Sequence, residues 1–581
     1  MKRTWIAVEH GRRSRGCLLL GVLFFAFTAS GGSAWAVPGP DSVVVVPNRN
    51  VPGSLALAER YRATRQIPRS QVCPVDLPAT DTISLSEFRR GFVRAVAACL
   101  GDDNGRIEAV VLVRGLPLRV TVPIATGTTR VSFAAAAALH QTTTSTGGEV
   151  LGMAPGQPVN CGGGNTCYGA RLPNGFLRQG PFEPGWSREF RGFVHRPRLV
   201  TMLHGRSDED AARLIASATT AEALGGAAAE HLFMNGADPA RGVRDQDYDG
   251  AIAALTALGQ TATRVPFDAN LSGRSLASYF VGTAGLGATI EGNTFLPGAL
   301  VDNLTSFGAL PPNFEAPANE VQVSIARWVT LGVAGVHGTT DEPLNNVFPD
   351  RDLSVDYVEG ASLGEVYFRY LPFAYWHNLV LGDPMAAPYA VRPVVNITGL
   401  SAGARVAGDQ PVRVEVTDPL DRPISALRLF LDGRLIAEST GTPIELCLSA
   451  LGSAQLLAVA QVGDDGTPAS KHRPKGWRGF DFEVTPGPLG CQPELDAGVQ
   501  PDAASLDDLG ITDSGSGVDA GLADASDVGF VGPPDTPAAQ PECGCRSTYD
   551  RGGLDVAWIF ALVVFQSRKK SGAKTALGSI A

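Results

Sequence analysis

Apolar and polar positions follow two rhythms over the first 390 residues and only one afterwards. Residues 42–46, Ser42 followed by four valines, have the short apolar run that a fully buried strand shows. Residues 55–66 carry Leu55, Leu57, Ala58 and Tyr61 at helical spacing, and Ile67-Pro68 ends them, because the residue before a proline is driven out of the helical region. Ser84-Leu85-Ser86-Glu87 has the spacing of a capping box, in which serine and glutamate each satisfy a backbone N–H at the start of a helix. It predicts a helix with Phe88, Phe92, Val96 and Leu100 on its inner face. Further strands are predicted at 109–113, 199–203, 231–234 and 264–267, with helices at 208–219 and 248–258 between them.

Strands alternating with helices predict an α/β domain over 37–390, its sheet covered on both faces. After residue 390 the helical period is lost. Short strands recur at 394–397, 412–416, 427–431, 456–461 and 480–484, and Asp432-Gly433 supplies a hairpin turn because both residues tolerate positive φ. This part, 391–490, is similar to an immunoglobulin-like β-sandwich of the sort that spaces domains on bacterial surfaces.

Charge redraws the map at one place. The formal net charge is −10, and residues 491–542 hold eleven carboxylates with no lysine or arginine. Rich in Ala, Gly, Ser and Pro, that stretch buries too little apolar surface to offset its ordering entropy and reads as a disordered acidic linker. The rest is only mildly acidic and has no basic patch interleaved with aromatics, which argues against a nucleic-acid partner.

The two ends read as processing signals. Arg12, Arg13 and Arg15 precede an apolar core from Cys17 to Phe27, and Ala34-Trp35-Ala36 supplies small residues at a cleavage site, so 1–36 reads as a secretory signal peptide and signal peptidase as a partner. In an oxidising compartment cysteines pair by default; the expected bridges are Cys73 with Cys99, Cys161 with Cys167 and Cys447 with Cys491, and a zinc site at Cys161 and Cys167 is the weaker alternative. Residues 543–581 contain Cys543-Gly544-Cys545, a twelve-residue run from Leu554 to Phe565 that is apolar except for Asp555, and Arg568-Lys569-Lys570. Twelve helical residues cover roughly 18 Å, too little for the ~30 Å apolar core of a bilayer, so the run suits a segment that is recognised and trimmed. Its order resembles a myxobacterial C-terminal sorting signal, which implies a membrane sorting protease as partner and an exported protein held at the outer surface or envelope.

Several phrases between 41 and 390 resemble, in order, an uncharacterised secreted family associated with exosortase-type sorting systems. They are Tyr61 to Pro68, Arg114-Gly115-Leu116-Pro117-Leu118-Arg119, Leu296-Pro297-Gly298-Ala299, Thr340-Asp341-Glu342-Pro343 and Leu381-Gly382-Asp383-Pro384. His204 stands where that family tends to have an aspartate. The closing Leu-Gly-Asp-Pro and the β-domain after it also resemble gingipain-type cysteine peptidases, which implies a caspase/gingipain-like sheet. Such a peptidase needs a histidine-activated thiolate. No cysteine lies between Cys167 and Cys447, so cysteine peptidase chemistry is not expected.

His337 is the leading catalytic candidate, because it ends an apolar strand and Asp341 and Glu342 follow closely enough to orient it for acid–base work. The bland alternative is a histidine capping a turn. Ser306 lacks the glycine setting of a nucleophile elbow. His337, His377 and Asp383 match no compact metal spacing, and Gly282 to Gly287 lacks the lysine of a phosphate loop. Asp245, Asp247 and Asp249 alternate like a calcium loop, but Thr256 stands where the bidentate glutamate belongs. No metal and no cofactor are expected. The chain therefore reads as an envelope protein that binds a partner or polymer, or serves as a scaffold, without peptidase activity; a hydrolase using His337 with Asp341 or Glu342 is the alternative.

Overall fold

In the computed structural model the chain divides into two units, 1–497 and 498–581, of which the first holds all the residues described. The residues described are 38–491, apart from 125–126, several stretches between 145 and 197, and residues 227, 315–319, 344, 374–375, 451 and 489. The signal segment, the acidic linker, the Cys543-Gly544-Cys545 tail and the Cys161–Cys167 pairing lie outside them.

A nine-stranded sheet organises the first unit. Its strands are β1 (Val43–Val46), β2 (Ala109–Val113), β3 (Leu199–Leu203), β4 (Glu230–Met234), β5 (Thr261–Val265), β6 (Ser275–Val281), β7 (Thr294–Asn303), β8 (Gly335–Thr339) and β9 (Asn378–Gly382), in the spatial order β1-β2-β3-β9-β8-β7-β6-β4-β5. β1, β2 and β3 pair in parallel, as do β5, β4, β6, β7 and β8. β9 sits between the two groups, antiparallel to β8, and meets β3 at the single bridge Met202–Leu381. The expected alternation is thus a mixed α/β sheet. Burial agrees with it, since β1, β2, β8 and β9 are covered along their whole length.

Helices cross between strands as the apolar spacing requires. α1 (Pro52–Arg65) starts on a proline and ends at Gln66, whose left-handed backbone closes the last turn just before Ile67-Pro68. The capping box at Ser84 and Glu87 is formed, and it opens α2 (Leu85–Phe88). The helix predicted there is interrupted: a π turn over Arg89–Val93 separates α2 from α3 (Arg94–Leu100), while Phe88, Phe92, Val96 and Leu100 are all buried. α4 (Phe133–Leu139) follows Ser132, whose hydroxyl caps it. α5 (Asp208–Leu224) runs beyond the expected 219 until Gly225 takes a left-handed conformation. The strand expected at 264–267 lies earlier, at β5, because Pro266 has no N–H to continue a ladder. α6 (Tyr248–Ala257), α7 (Ile325–Thr330), α8 (Leu353–Val358) and α9 (Leu363–Tyr370) complete the cover.

Two sequence phrases more than 300 residues apart meet inside this body. The Tyr61 hydroxyl donates to Asp383 at 2.7 Å, and the Arg65 guanidinium donates to the other oxygen of Asp383 at 2.5 Å while also pairing with Glu222. Asp383 is fully buried, and the preceding Gly382 adopts φ 146° with its Cα so close to the Ala334 carbonyl that an added Cβ would sit 2.7 Å from that oxygen. The Leu-Gly-Asp-Pro phrase thus anchors α1 to the end of β9.

The β-rich part consists of two sheets. β10 (Val394–Thr398), β12 (Gln410–Thr417) and β15 (Ile444–Leu448) form one; β11 (Arg405–Ala407), β17 (Lys475–Thr485), β16 (Gly452–Val462), β13 (Ile424–Leu431) and β14 (Arg434–Ser439) form the other. Asp432 and Gly433 both have positive φ and make the turn between β13 and β14. The inner faces share one core built on Val414, Leu427, Leu429, Leu456 and Ala458. The disulfides Cys73–Cys99 and Cys447–Cys491 are present as expected.

The sandwich is docked on the α/β body through polar contacts that both parts bury. Lys475 of β17 reaches Glu108, before β2, at 3.2 Å, and the Ser42 hydroxyl donates to the same carboxylate at 2.5 Å. Gln66 accepts from the Gly479 N–H at 2.6 Å, and Arg106 donates to the Gly433 carbonyl at 3.0 Å while stacking over Phe430. Burial pushes the Glu108 carboxyl up to about 7 even though Lys475 pulls it down. The folded state therefore holds a proton that the unfolded state has released. This contribution to stability is complete below pH 4.5 and is lost as pH rises through 7. Urea unfolding across that window is expected to show wild type losing roughly 1–3 kcal/mol more than Glu108→Gln; parallel profiles would contradict the assignment.

Candidate functional site

Parallel register decides what surrounds His337. β7 and β8 pair with Asp302 directly opposite His337, and neighbouring in-register residues share one face of a pleated sheet. Asn378 opens β9 opposite Thr339, two positions from His337 and on the same face. The close approach of α7 behind this strand requires Gly338, since a Cβ there would lie 2.4 Å from Ile325 Cγ2.

The imidazole is completely buried and engaged on both sides. Nδ1 lies 2.9 Å from Asp302 Oδ1, and Nε2 lies 3.0 Å from Asn378 Oδ1. Asp302 can only accept, and the Asn378 amide nitrogen is committed to the Phe373 carbonyl at 2.8 Å, which turns the amide oxygen toward the ring. Both ring nitrogens are therefore engaged by protein groups. Asp302 pairs on its other oxygen with the buried Arg244 guanidinium, which also donates to the carbonyls of Pro349 at 3.2 Å and Val281 at 3.1 Å. Burial would raise the Asp302 carboxyl, but the Arg244 charge and the hydrogen bond from His337 outweigh it and hold the group below the usual carboxylate range. Phe348 closes the cluster, packing edge-on against the His337 ring and beneath Arg244.

Asp341 and Glu342, expected to orient His337, do neither. Asp341 pairs with Arg130 at 2.6 Å, and Glu342 accepts from the Ser306 hydroxyl at 2.9 Å. Both lie past the end of β8, where the chain has left the sheet, whereas His337 is in mid-strand. Ser306 thus meets Glu342 and not the histidine; its own N–H donates to Gln322 at 2.9 Å and its carbonyl accepts from Thr339 at 2.8 Å.

The other candidates are dispersed. Asp383 belongs to the Tyr61 and Arg65 network, His377 packs its ring against Trp376, and His337 is in the Asp302 cluster. The aspartates of the calcium-like run serve separate partners: Asp245 accepts from the Gly236 N–H, Asp247 pairs with Arg351 and Asp249 with Arg264. His204 follows β3 with its ring edge-on to Phe314, and burial, then the nearby Arg114 charge, push it down to about 3.

Sequence reasoning missed Asp302, Arg244 and Asn378. A signal for Asp302 was present, because Asp302-Asn303 is a polar pair closing the apolar strand β7. Nothing local links it to Arg244, 58 residues earlier.

No family model matches the chain, and no curated protein matches it. Among solved structures, one described as "Structure of Protease" is 10% identical, covering 76% of this chain and 98% of its own, with a TM-score of 0.37. A fibronectin(III)-like module of Clostridium thermocellum CbhA is 21% identical over 16% of this chain and 94% of its own, with a TM-score of 0.13. A Jonesia denitrificans lytic polysaccharide monooxygenase is 14% identical over 16% of this chain and 77% of its own, with a TM-score of 0.11. Likeness at these scores carries no functional argument.

A saturated, buried ion cluster behaves as a fold element. Asp302→Asn removes the counter-charge of a buried guanidinium and is expected to cost about 3–5 kcal/mol in urea unfolding. Glu342→Gln, at an exposed position, should leave the unfolding midpoint in place. The reverse ranking would contradict the assignment.

Proposed function

We propose that this chain is an exported protein held at the cell envelope, where it binds a partner or polymer or serves as a scaffold and does not act as a peptidase. The observation that carries this reading is the state of His337: fully buried, bonded at both nitrogens, and separated from Asp341 and Glu342, which have other partners. A general base must reach the proton it removes. The sequence adds that no cysteine lies between Cys167 and Cys447 to act as a thiolate nucleophile.

On this reading the α/β body is a caspase/gingipain-like sheet without the catalytic pair, and the sandwich is an immunoglobulin-like spacer. The acidic stretch 491–542 is a self-repelling stalk, and the Cys543-Gly544-Cys545 tail is the substrate of a membrane sorting protease, after signal peptidase has removed 1–36. Among the described residues, which do not include the tail, no helix is long and apolar enough to cross a membrane.

The full chain incubated with a diverse peptide library and read by mass spectrometry is expected to cleave nothing, with or without thiol alkylation. Cleavage that survives alkylation and disappears in His337→Ala would replace the scaffold reading with that of a hydrolase.

A further inference from the structure

The junction between α8 and the sandwich holds a second cluster of ionisable groups. Asp356 and Glu359 stand three residues apart at the end of α8, on one helical face, and His472 reaches them from the loop joining β16 to β17. One ligand atom from each of the three lies within 4.8 Å of the others. His472 is 1% exposed, and among the described residues neither of its ring nitrogens has a hydrogen-bond partner.

That last point sets the cluster apart from an ordinary ion network. An imidazole taken out of water with no partner is destabilising, and buried polar groups are almost always satisfied. The carboxylates are arranged around a cation already. Asp356 gives one oxygen to Arg369 and to the Tyr370 hydroxyl at 2.8 Å, which fixes its orientation, and turns the other toward the Lys471 ammonium at 3.3 Å. Lys471 also pairs with Glu359. Its ammonium occupies the space between the two carboxylates, on a side chain 46% exposed and free to retire into water.

We propose that Asp356, Glu359 and His472 form a binding site for a divalent transition-metal ion of the zinc class, with Lys471 as the internal cation that the metal displaces. Two carboxylate oxygens and one imidazole nitrogen are a zinc donor set, with bonds of about 2.0–2.2 Å. Ligand atoms of one tetrahedral ion lie roughly 3.5 Å apart, so the three groups close by about 1 Å as the metal enters. Because two ligands come from the α/β body and one from the sandwich, the ion clips the two parts together.

Zinc added to the chelator-treated full chain, at about 100 times its dissociation constant, should raise the melting temperature by roughly 3 °C or more. Cobalt should give a visible d–d band. His472→Ala and Glu359→Gln should lose both signals, and Lys471→Met should bind zinc at least tenfold more tightly. His472→Cys, which keeps a ligand, should retain cobalt and add a sulfur charge-transfer band, a signature no purely structural histidine produces. Absence of the zinc shift and the cobalt band in the wild type would overturn the proposal. So would a zinc response unchanged in His472→Ala, or a cobalt complex of His472→Cys without the sulfur band.

Discussion

The charge on Asp302 is the constraint around which the centre of the sheet is built. A carboxylate with no exposure to water is tolerable only when each oxygen is met, and here Arg244 takes one and His337 the other. Satisfying Asp302 fixes much else. It commits His337 to β7, the amide of Asn378 to His337, and the guanidinium of Arg244 to the carbonyls of Val281 and Pro349, so that β6, β7, β8 and β9 are tied through one polar cluster. A histidine used in this way has both nitrogens occupied, which is the support for the non-peptidase proposal.

The same economy recurs elsewhere. Asp383 is met by Tyr61 and Arg65, Glu108 by Lys475 and Ser42, Asp356 by Arg369, Tyr370 and Lys471. Each joins segments distant in sequence, and two of them join the α/β body to the sandwich. These parts are coupled by buried polar and ionic contacts whose loss leaves unsatisfied groups, which favours a single docked arrangement over a loose tether. His472, at that same junction, is an imidazole with both ring nitrogens unmet.

Most of the fold was legible in the sequence because its signals are local. The apolar runs at 109–113 and 199–203 match β2 and β3 residue for residue, the capping box at Ser84 and Glu87 is formed, and the Asp432-Gly433 turn is where its positive φ tolerance put it. Strands β6, β7 and β9 of the main sheet were not among those predicted, and neither were β11, β14 and β15 of the sandwich, where a three-residue strand and a half-exposed edge strand have too little apolar contrast to stand out. The pairing order of the sheet was equally hidden, because β9, last in sequence, inserts between β3 and β8. The site was legible only as far as His337 itself. Sequence proximity pointed to Asp341 and Glu342, yet a strand ends between them and the histidine; the true partner comes from the neighbouring strand in register, 35 residues earlier.

The most direct test is accessibility of the His337 ring. Diethyl pyrocarbonate acylates imidazole nitrogens that solvent can reach, and peptide mass spectrometry locates the adducts. In the folded chain His337 should remain unmodified while the fold is intact and become modified only on unfolding. Rapid modification of His337 in the folded protein would show an open imidazole and contradict its assignment to a closed structural cluster.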